Sequence, residues 1–371
     1  MNKIYFHSPN KKVFFLKYKN LLHSRKKMSE GDVFGDSKFR KILLDSKRIV
    51  FNFSFKKIGD TLLTLIGYLA IIDFLKICNI ETELIYCGKN TDLMSKLNIF
   101  TKFEKLRNIH LTKESFILSD NSSISSHIFL APEKIPIFKD KNLFYYTLPQ
   151  RYYIHIENLL KVKLLDIHKK EKRFIFNNSL LTIDNKYYNL GIISSTSLKD
   201  RKNYPYFFDL LITISKYVLK PIRCYWFNGG TSTKITITKE SYFQQEIFFI
   251  KNGRLKENAQ IFSQLNLIIG NDTGLTHLAA LSQSIEKNMP NVISLYNRHS
   301  FYKWNTGYQN HHCISTLFPY IIGINDLCPV RDKLDERKWY LLSNFKYIAP
   351  KDICDYCLKK GFLNDKNTSI S

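Results

Sequence analysis

One stretch, residues 266–281, constrains the fold more than any other part of the chain. It reads Asn-Leu-Ile-Ile-Gly-Asn-Asp-Thr-Gly-Leu-Thr-His-Leu-Ala-Ala-Leu. The run 267–269 is short and apolar, as expected for a buried strand, and it breaks at Gly270. After Thr273 and Gly274 the apolar residues recur without a breaker, at spacings typical of a buried helix. The sequence therefore predicts a strand, a tight turn and a helix.

The turn of this unit has the features of an anion site. Asp272 or Thr273 can serve as the N-cap of the helix, and Gly274 removes a Cβ where a ligand would approach the first-turn N–H groups. A helix N-terminus favours phosphate, and ligands of open α/β sheets lie at the carboxyl ends of strands. The same residues also suit a capped strand–helix joint without a ligand, so the turn alone leaves both interpretations open.

Strand and helix signals follow one another twice along the 371 residues. The first series begins with a strand over 48–55, a glycine-containing turn, an apolar helix over 61–78 and a strand over 83–87. The second begins with a strand over 190–193. A chain of this length exceeds one ordinary core, and alternating strands and helices are typical of parallel, doubly wound sheets.

The second series includes a helix after Pro205 and strands over 222–227 and 292–296. A cluster of Lys and Asn near residues 175–188 separates the two series. We therefore predict an N-terminal domain over 48–185 and a C-terminal domain over 186–371 that ends in a return segment. Residues 1–47 are basic and aromatic, and we interpret them as an appended segment.

The charge of the chain predicts an anionic partner. Lys and Arg number 56 against 32 Asp and Glu, a formal charge of +24, and much of the excess lies before residue 60. Nucleic acid, an anionic membrane and a phosphorylated glycolipid all fit, as does a lysine-rich solvated surface. No nucleic-acid-binding module is recognisable, so we expect no nucleic acid partner.

The location expected from the sequence is the cytoplasm. The first residues lack the apolar core and cleavage site of a secretory signal. The apolar stretch 61–72 is too short to span a bilayer and ends at Asp73, which indicates a buried helix. Seven scattered cysteines do not form a secreted disulfide framework, so we expect reduced thiols.

Three motifs together resemble one family. Phe55-Lys-Lys-Ile-Gly-Asp-Thr-Leu-Leu-Thr64 resembles an N-terminal Gly-Asp-x-Leu-x-Thr signature, and Gly270-Asn-Asp-Thr-Gly-Leu-Thr-His-Leu-Ala-Ala280 resembles an Asp-Thr-Gly-x-x-His-Leu-Ala signature. Lys202-Asn-Tyr-Pro205 resembles a Lys-x-Trp-Pro motif with Tyr in place of Trp. These signatures belong to the ADP-heptose:lipopolysaccharide heptosyltransferases, glycosyltransferase family 9. Their order and spacing agree over about residues 48–300.

The resemblance implies an α/β protein of the GT-B architecture, two Rossmann-like doubly wound domains that face each other across a cleft. It also implies inverting, metal-independent transfer that requires no cofactor, with ADP-heptose as the donor. The expected acceptor is an anionic glycolipid, the inner core of lipopolysaccharide or lipooligosaccharide, at the inner leaflet, with the enzyme peripheral to the inner face of the cytoplasmic membrane. The alternative is the same family with another nucleotide sugar or a protein acceptor, such as an autotransporter.

Two residues are the candidates for catalysis. Transfer to a sugar hydroxyl needs a general base and positive charge for the departing diphosphate. Asp60 matches the family's proposed base, although it could instead only cap its helix. Lys202 supplies charge for the diphosphate, and its neighbours Lys199 and Arg201 either assist it or are solvated loop charges.

Binding residues follow from the same motifs. The resemblance implies donor contacts, and the candidates are Asp272, Thr273, Gly274, His277, Ser197 and Glu240. Asp272 could hold sugar hydroxyls. His277 could approach the donor or be a buried histidine bonded to a carbonyl. Glu240, after a long loop over 231–239, is the candidate for the ribose. Candidates for the acceptor are Lys56, Lys57 and Gly59.

Two features depart from the family pattern or lie outside it. The segment 297–300, Asn-Arg-His-Ser, stands where many members have a Gly-Pro-Thr or similar loop. A Cys-x-x-Cys motif at Cys354 and Cys357, with Cys313 and Cys328 upstream, is a weak metal-site signal, because a zinc or iron clip needs four ligands. We predict no metal. Related heptosyltransferases of autotransporters do carry a cysteine-bound iron.

Overall fold

A computed structural model gives the fold. It describes residues 36–54, 57–104, 115–119, 128–129, 147–164, 171–177, 181, 183–196, 202–229, 235–242, 245–301, 303–319 and 342–363. Several residues named above lie outside the described residues, and predictions about them stay predictions; they are residues 1–35, Lys56, Ser197, Lys199, Arg201 and Cys328.

The first domain is a parallel sheet with helices packed on it. Its elements are α1 (Asp36–Asp45), β1 (Arg48–Asn52), α2 (Ile58–Ile77), β2 (Glu83–Cys87), α3 (Thr91–Met94), β3 (Lys102–Glu104), β4 (Ser115–Ser119), β5 (Ile128–Phe129) and α4 (Leu148–Leu160). The strands lie in the order β3-β2-β1-β4-β5, and all their pairings are parallel. This is the strand order of a Rossmann-type doubly wound sheet.

The second domain repeats this plan. Its elements are β6 (Phe174–Phe176), β7 (Tyr188–Ile193), α5 (Phe207–Ser215), β8 (Ile222–Asn228), β9 (Thr236–Tyr242), β10 (Gln245–Lys251), α6 (Leu255–Phe262), β11 (Leu267–Asn271), α7 (Gly274–Leu281), β12 (Ser282–Ser284), β13 (Asn291–Tyr296), β14 (His311–Ser315) and α8 (Pro350–Lys359). The large sheet has the order β14-β13-β11-β7-β8-β10-β9, and only the β9–β10 pair is antiparallel. The strands β6 and β12 form a separate parallel pair.

The strand orders define where a ligand can enter. The order reverses between β1 and β4 in the first sheet and between β7 and β11 in the second. At such a point the two loops that follow the neighbouring strands leave in opposite directions, and a crevice opens outside their carboxyl ends. The predicted turn after β11 lies at the crevice of the second domain.

Helix α2 is the central helix of the first domain. The helix has 20 residues and is longer than the apolar run 61–72. Its length and its mean hydropathy of 1.7 would allow it to cross a bilayer. However, 78% of its most apolar window is buried inside the protein. Thr61 to Ile72 are all buried, and the helix packs on α4 and α7. Burial between protein elements on all sides explains why it has no polar face.

Two large hydrophobic cores support the domains, beside a small cluster within the first sheet. The larger one contains residues of both domains, including Leu62 and Ile66 of α2 and Leu278 of α7. The smaller one lies between the second sheet and the helices α5 and α8. The two domains therefore share a continuous apolar contact, and the C-terminal segment returns onto the second domain.

Two expectations about domain limits and loops need correction. The basic segment 1–47 is not wholly an appendage, because α1 packs on α4 and the Leu43 side chain is fully buried in the larger core. The long loop expected over 231–239 ends at residue 235 in the described part of the chain, where the β9–β10 hairpin begins. Its strand β9 was missed because its residues are exposed on both faces and show no alternating pattern.

Candidate active site

The centre of the candidate site is an ion pair between the ends of β7 and β11. Lys202 follows β7, Asp272 follows β11, and Lys202 Nζ lies 2.8 Å from Asp272 Oδ2. Both residues are buried, with 7% and 8% of their surface exposed. Burial alone would raise the pKa of the Asp272 carboxyl, but the attraction of Lys202 and the hydrogen bond to His299 outweigh it and hold that pKa well below its ordinary value.

His299 is the third member of this cluster, and the motif analysis did not select it. Its Nδ1 lies 2.9 Å from Asp272 Oδ2 and 2.8 Å from Lys202 Nζ. Burial lowers the pKa of the imidazole, although the Asp272 carboxylate acts in the opposite direction. The available signal was positional: His299 follows β13, the parallel neighbour of β11, in the segment that departs from the family pattern.

Asn271 joins the loop of Lys202 to the end of β11. Its Oδ1 accepts a hydrogen bond from the Tyr204 backbone N–H at 2.9 Å, and its Nδ2 donates to the Ser194 carbonyl at 2.8 Å. Tyr204, which replaces the family's Trp, donates its hydroxyl to the Ile348 carbonyl. Because Asn271 is fully buried, these bonds hold the Lys202 loop in one place.

The turn after β11 starts α7 as the sequence predicts. Thr273 occupies the N-cap position in extended conformation, without a side-chain capping bond, and its carbonyl accepts from the N–H groups of Thr276 and His277. The Asp272 carboxylate does not serve as the cap, since it bonds Lys202 and His299. Its suggested contact with sugar hydroxyls stays a prediction.

His277 is buried beneath this turn, with 4% of its surface exposed. Its Nε2 lies 3.9 Å from Asp272 Oδ1, and its Nδ1 has no hydrogen-bond partner among the described residues. A bond from this ring to a backbone carbonyl, one of the two alternatives, is not seen among the described residues. Burial lowers the pKa of His277 to about 4, although Asp272 partly opposes this, so the ring is neutral at pH 7.

His311 of β14 packs on His277 and supports the loop after β13. The two rings lie 5.6 Å apart in an edge-on arrangement. His311 Nδ1 accepts from the Thr306 N–H at 3.2 Å, and its Nε2 is 2.6 Å from Ser294 Oγ. A ring nitrogen that accepts from an N–H is unprotonated, so the proton is on Nε2.

The two domains meet through two glycines. A Cβ placed on Gly274, the first residue of α7, would lie 2.8 Å from the backbone nitrogen of Gly59 and 2.6 Å from the Ile58 side chain. The sequence predicted that Gly274 leaves room for a ligand and that Gly59 contacts the acceptor. In the structure each glycine instead allows the other domain to approach.

Asp60 follows Gly59 and is the third residue of α2. It is half-buried and lies in the first turn, beside the contact between the domains. The N-cap position belongs to Lys57, which is exposed and makes no capping bond. Asp60 therefore does not cap the helix as an N-cap residue, although the helix dipole still favours a carboxylate in this turn.

Other candidates lie away from this cluster. Glu240 is exposed on β9, the edge strand, with three strands between β9 and β11. The described residues contain no group of three His, Cys, Asp or Glu side chains that could hold a metal. Cys354 and Cys357 are buried in the smaller core, and burial raises the pKa of Cys354, like that of Cys313, to about 12. Neutral thiols in an apolar core are poor metal ligands.

The protein therefore has two Rossmann-like domains that are in contact at helix N-termini. A buried lysine–aspartate pair lies where the strand order of the second sheet reverses. Residues 226–319 match the model of glycosyltransferase family 9 (heptosyltransferase). The match covers the strands from β8 to β14 and includes the turn that carries Asp272. The match supports, over these residues, the resemblance seen in the sequence.

Several solved structures are similar to this chain. A glycosyl transferase family 9 protein from Veillonella parvula DSM 2008 has a TM-score of 0.52 and 13% identity, over 85% of this chain and 97% of its own. The E. coli ADP-heptose LPS heptosyltransferase II has a TM-score of 0.49 and 12% identity, over 83% and 96%. E. coli heptosyltransferase WaaC with ADP has a TM-score of 0.46 and 12% identity, over 73% and 94%.

No curated protein matches the chain. The likeness to the V. parvula protein, together with the two parallel sheets, confirms the predicted GT-B fold.

Proposed function

We propose that this protein is an inverting glycosyltransferase that transfers heptose from ADP-heptose to the inner core of lipopolysaccharide or lipooligosaccharide. The observation that carries the proposal is the Lys202–Asp272 pair at the N-terminus of α7, directly across the domain contact from the first turn of α2, which holds Asp60. The family assignment supports glycosyl transfer and the heptosyl class.

The chemistry of the proposed reaction assigns a role to each side of the contact. The acceptor hydroxyl forms a bond to the anomeric carbon while the bond from that carbon to the diphosphate oxygen breaks, which inverts the configuration. Asp60 accepts the hydroxyl proton as general base. Lys202 and the first-turn N–H groups of α7 stabilise the charge that develops on the departing ADP.

The positive charge at this site would take the place of a metal ion. Lys202 is a buried cation whose position is held by Asp272 and, through the loop, by Asn271. Donors held in place stabilise a developing charge without reorganisation when the bond breaks. We therefore propose that the reaction needs no metal and continues in the presence of a chelator.

A donor and acceptor screen tests the proposal. Purified full-length protein is incubated with ADP-heptose, UDP-glucose or UDP-N-acetylglucosamine, each with truncated lipooligosaccharide and each with and without EDTA, and the product mass is measured. We expect a heptose adduct from ADP-heptose both with and without EDTA. Transfer from a UDP-sugar alone would overturn the donor assignment, and loss of product with EDTA would overturn metal independence.

The acceptor and the location form part of the same proposal. We propose that the enzyme acts as a peripheral protein at the inner face of the cytoplasmic membrane, and the formal charge of +24 supports attraction to an anionic surface. An autotransporter passenger segment is included in the screen as the alternative acceptor. Heptose on that protein, with none on lipooligosaccharide, would replace the glycolipid assignment.

A further inference from the structure

His299 makes two short contacts through a single ring nitrogen. Its Nδ1 lies 2.9 Å from Asp272 Oδ2 and 2.8 Å from Lys202 Nζ. A carboxylate oxygen only accepts hydrogen bonds, and an ammonium only donates them. A neutral imidazole therefore satisfies one contact at a time: Nδ1 either donates to Asp272 or accepts from Lys202.

Lys202 and His299 share one partner, since both lie within hydrogen-bond distance of Asp272 Oδ2, an oxygen that can accept two hydrogen bonds. Lys202 has three N–H donors and can turn toward another anion, whereas the carboxylate is buried and cannot reach water freely. A buried carboxylate that loses its cation is strongly destabilising unless another donor replaces it.

The loop that carries His299 keeps it in place. The Trp304 N–H donates to the Ser300 carbonyl at 3.0 Å, and the Thr306 N–H donates to His311 Nδ1 at 3.2 Å. Nδ1 of His299 already lies 2.9 Å from Asp272 Oδ2. It can therefore remain the hydrogen-bond donor to that oxygen without a backbone movement.

We propose that His299 is a positioning residue that holds the Asp272 carboxylate through Nδ1–H whenever a diphosphate draws the Lys202 ammonium away. The inference rests on the proposed function, because it takes the diphosphate of a nucleotide sugar as the anion that recruits Lys202. It gives the segment 297–300, which departs from the family pattern, a defined part in donor binding.

Proton uptake distinguishes this role from a structural one. In the free protein His299 faces Asp272, Lys202 and Arg298, and His277 lies on the other carboxylate oxygen. When Lys202 turns to the diphosphate, its repulsion of the imidazolium weakens while the attraction of Asp272 remains, so the pKa of His299 rises on binding. Binding then takes up protons and weakens as the pH rises through the pKa of the complex.

The experiment compares donor-site variants by calorimetry with ADP. His299→Asn keeps an N–H donor near Asp272, and His299→Leu removes it. We expect His299→Leu to bind ADP about 10- to 100-fold more weakly. This corresponds to the free-energy contribution of one hydrogen bond to a charged group. His299→Asn should bind ADP nearly as tightly as the wild type.

Proton uptake is measured from the dependence of the binding enthalpy on the ionisation enthalpy of the buffer. ADP itself titrates near neutral pH, so the wild type is compared with His299→Asn, which lacks the titrating ring. His312→Asn is the matched control, because His312 bonds Tyr356 instead of Asp272. Extra proton uptake is expected in the wild type and in His312→Asn, but not in His299→Asn.

Two outcomes overturn the inference: equal ADP affinity of a folded His299→Leu protein and the wild type, or equal proton uptake by the wild type and His299→Asn. The second comparison needs only the conservative variant and stays decisive if His299→Leu fails to fold. Failure of the wild type to bind ADP would overturn the proposed function itself.

Discussion

Gly59 and Gly274 lie against each other where the two domains meet, so that a Cβ on Gly274 would come within 2.8 Å of the Gly59 backbone nitrogen. Each glycine belongs to the first turn of a helix, α2 and α7. Two helix N-termini therefore converge on one place, each with a partial positive charge. This convergence brings the first turn of α2, which holds Asp60, against the first turn of α7, which follows Asp272.

Alanine substitutions at this contact should differ in severity. Gly274→Ala brings a Cβ to 2.8 Å from backbone, whereas Gly59→Ala brings one only to 3.2 Å from Gly274 Cα. We expect Gly274→Ala to lower the free energy of unfolding by about 1–3 kcal/mol, the usual cost of overpacking. Gly59→Ala should cost less, because its Cβ would meet the Gly274 backbone at 3.2 Å instead of 2.8 Å. Urea unfolding of both variants measures the difference, and an unchanged Gly274→Ala would contradict the close contact.

Asp60→Asn should lower kcat by about 100-fold or more, because loss of a general base acts on the transition state. Affinity for ADP should not change. Asp209→Asn is the matched control, since Asp209 is also the third residue of its helix but is exposed. Both variants lose a carboxylate from a helix first turn, so equal kinetic effects would assign Asp60 to helix stabilisation alone.

Lys202→Ala should raise the donor KM and lower kcat together, because a charge at the diphosphate acts more strongly in the transition state than in the ground state. It should also lower the free energy of unfolding, but by less than the about 3–5 kcal/mol of an uncompensated buried charge, since His299 still donates to Asp272. Lys220→Ala is the control, an exposed lysine bonded to a carbonyl. Unchanged kinetics in a folded Lys202→Ala protein would remove Lys202 from the donor site.

Local pattern was enough to predict the strand–turn–helix around Asp272, the helix α2 and the two doubly wound sheets. Local pattern does not show which strands are neighbours in the sheet, and the site depends on those neighbours. Lys202 and Asp272 meet because β7 and β11 are parallel neighbours although they are far apart in sequence. His299 joins them because β13 pairs with β11. Sequence motifs identified the first two residues by resemblance, and only the sheet order brings in the third.

The expectations from which the structure departs share a physical cause. We expected the space beside Gly59 and Gly274, where a side chain is missing, to admit a ligand. In the structure a segment of the other domain fills the space where a Cβ would lie. Leu43 was assigned to an appended segment, because one helix with mixed basic and apolar residues does not reveal the surface that covers it. Glu240 was the acidic candidate for the ribose, and the β9–β10 hairpin carries it to the sheet edge.

The buried histidines should make the fold sensitive to mild acid. The pKa of His277 is lowered from 6.5 to about 4 in the folded protein, so below pH 6.5 the unfolded chain binds a proton that the folded one does not. Stability is therefore full above about pH 6.5 and declines as the pH falls toward 4. At pH 5 the loss from His277 is about 2 kcal/mol. The pKa of His311 is lowered too, which adds in the same direction.

Urea unfolding between pH 7.5 and 4.5 measures this decline, and His277→Gln should reduce its slope. The pKa of Asp272 is also lowered, but from 3.8, so its contribution is lost only at more acid pH and does not confuse the comparison. Equal slopes for the wild type and His277→Gln would mean that His277 is not held neutral by burial.

Two nested deletions should separate membrane attraction from folding in the N-terminal segment. Residues 1–35 carry many of its lysines and arginines, whereas residues 36–45 form α1, whose Leu43 is buried in the core. Each basic residue near an anionic surface contributes about 1 kcal/mol, and the attraction falls away within a Debye length. Deleting 1–35 should therefore weaken binding to anionic vesicles while it keeps α1 and its buried Leu43.

Deleting 1–45 should weaken the same binding and also lower the free energy of unfolding by about 2–5 kcal/mol, as loss of a buried leucine does. Vesicle co-sedimentation at two salt concentrations measures the first effect, and urea unfolding measures the second. Transfer to a short soluble acceptor should survive the shorter deletion, because that acceptor needs no membrane. Equal vesicle binding by the full chain and the 1–35 deletion at the same salt would contradict a membrane role for these residues.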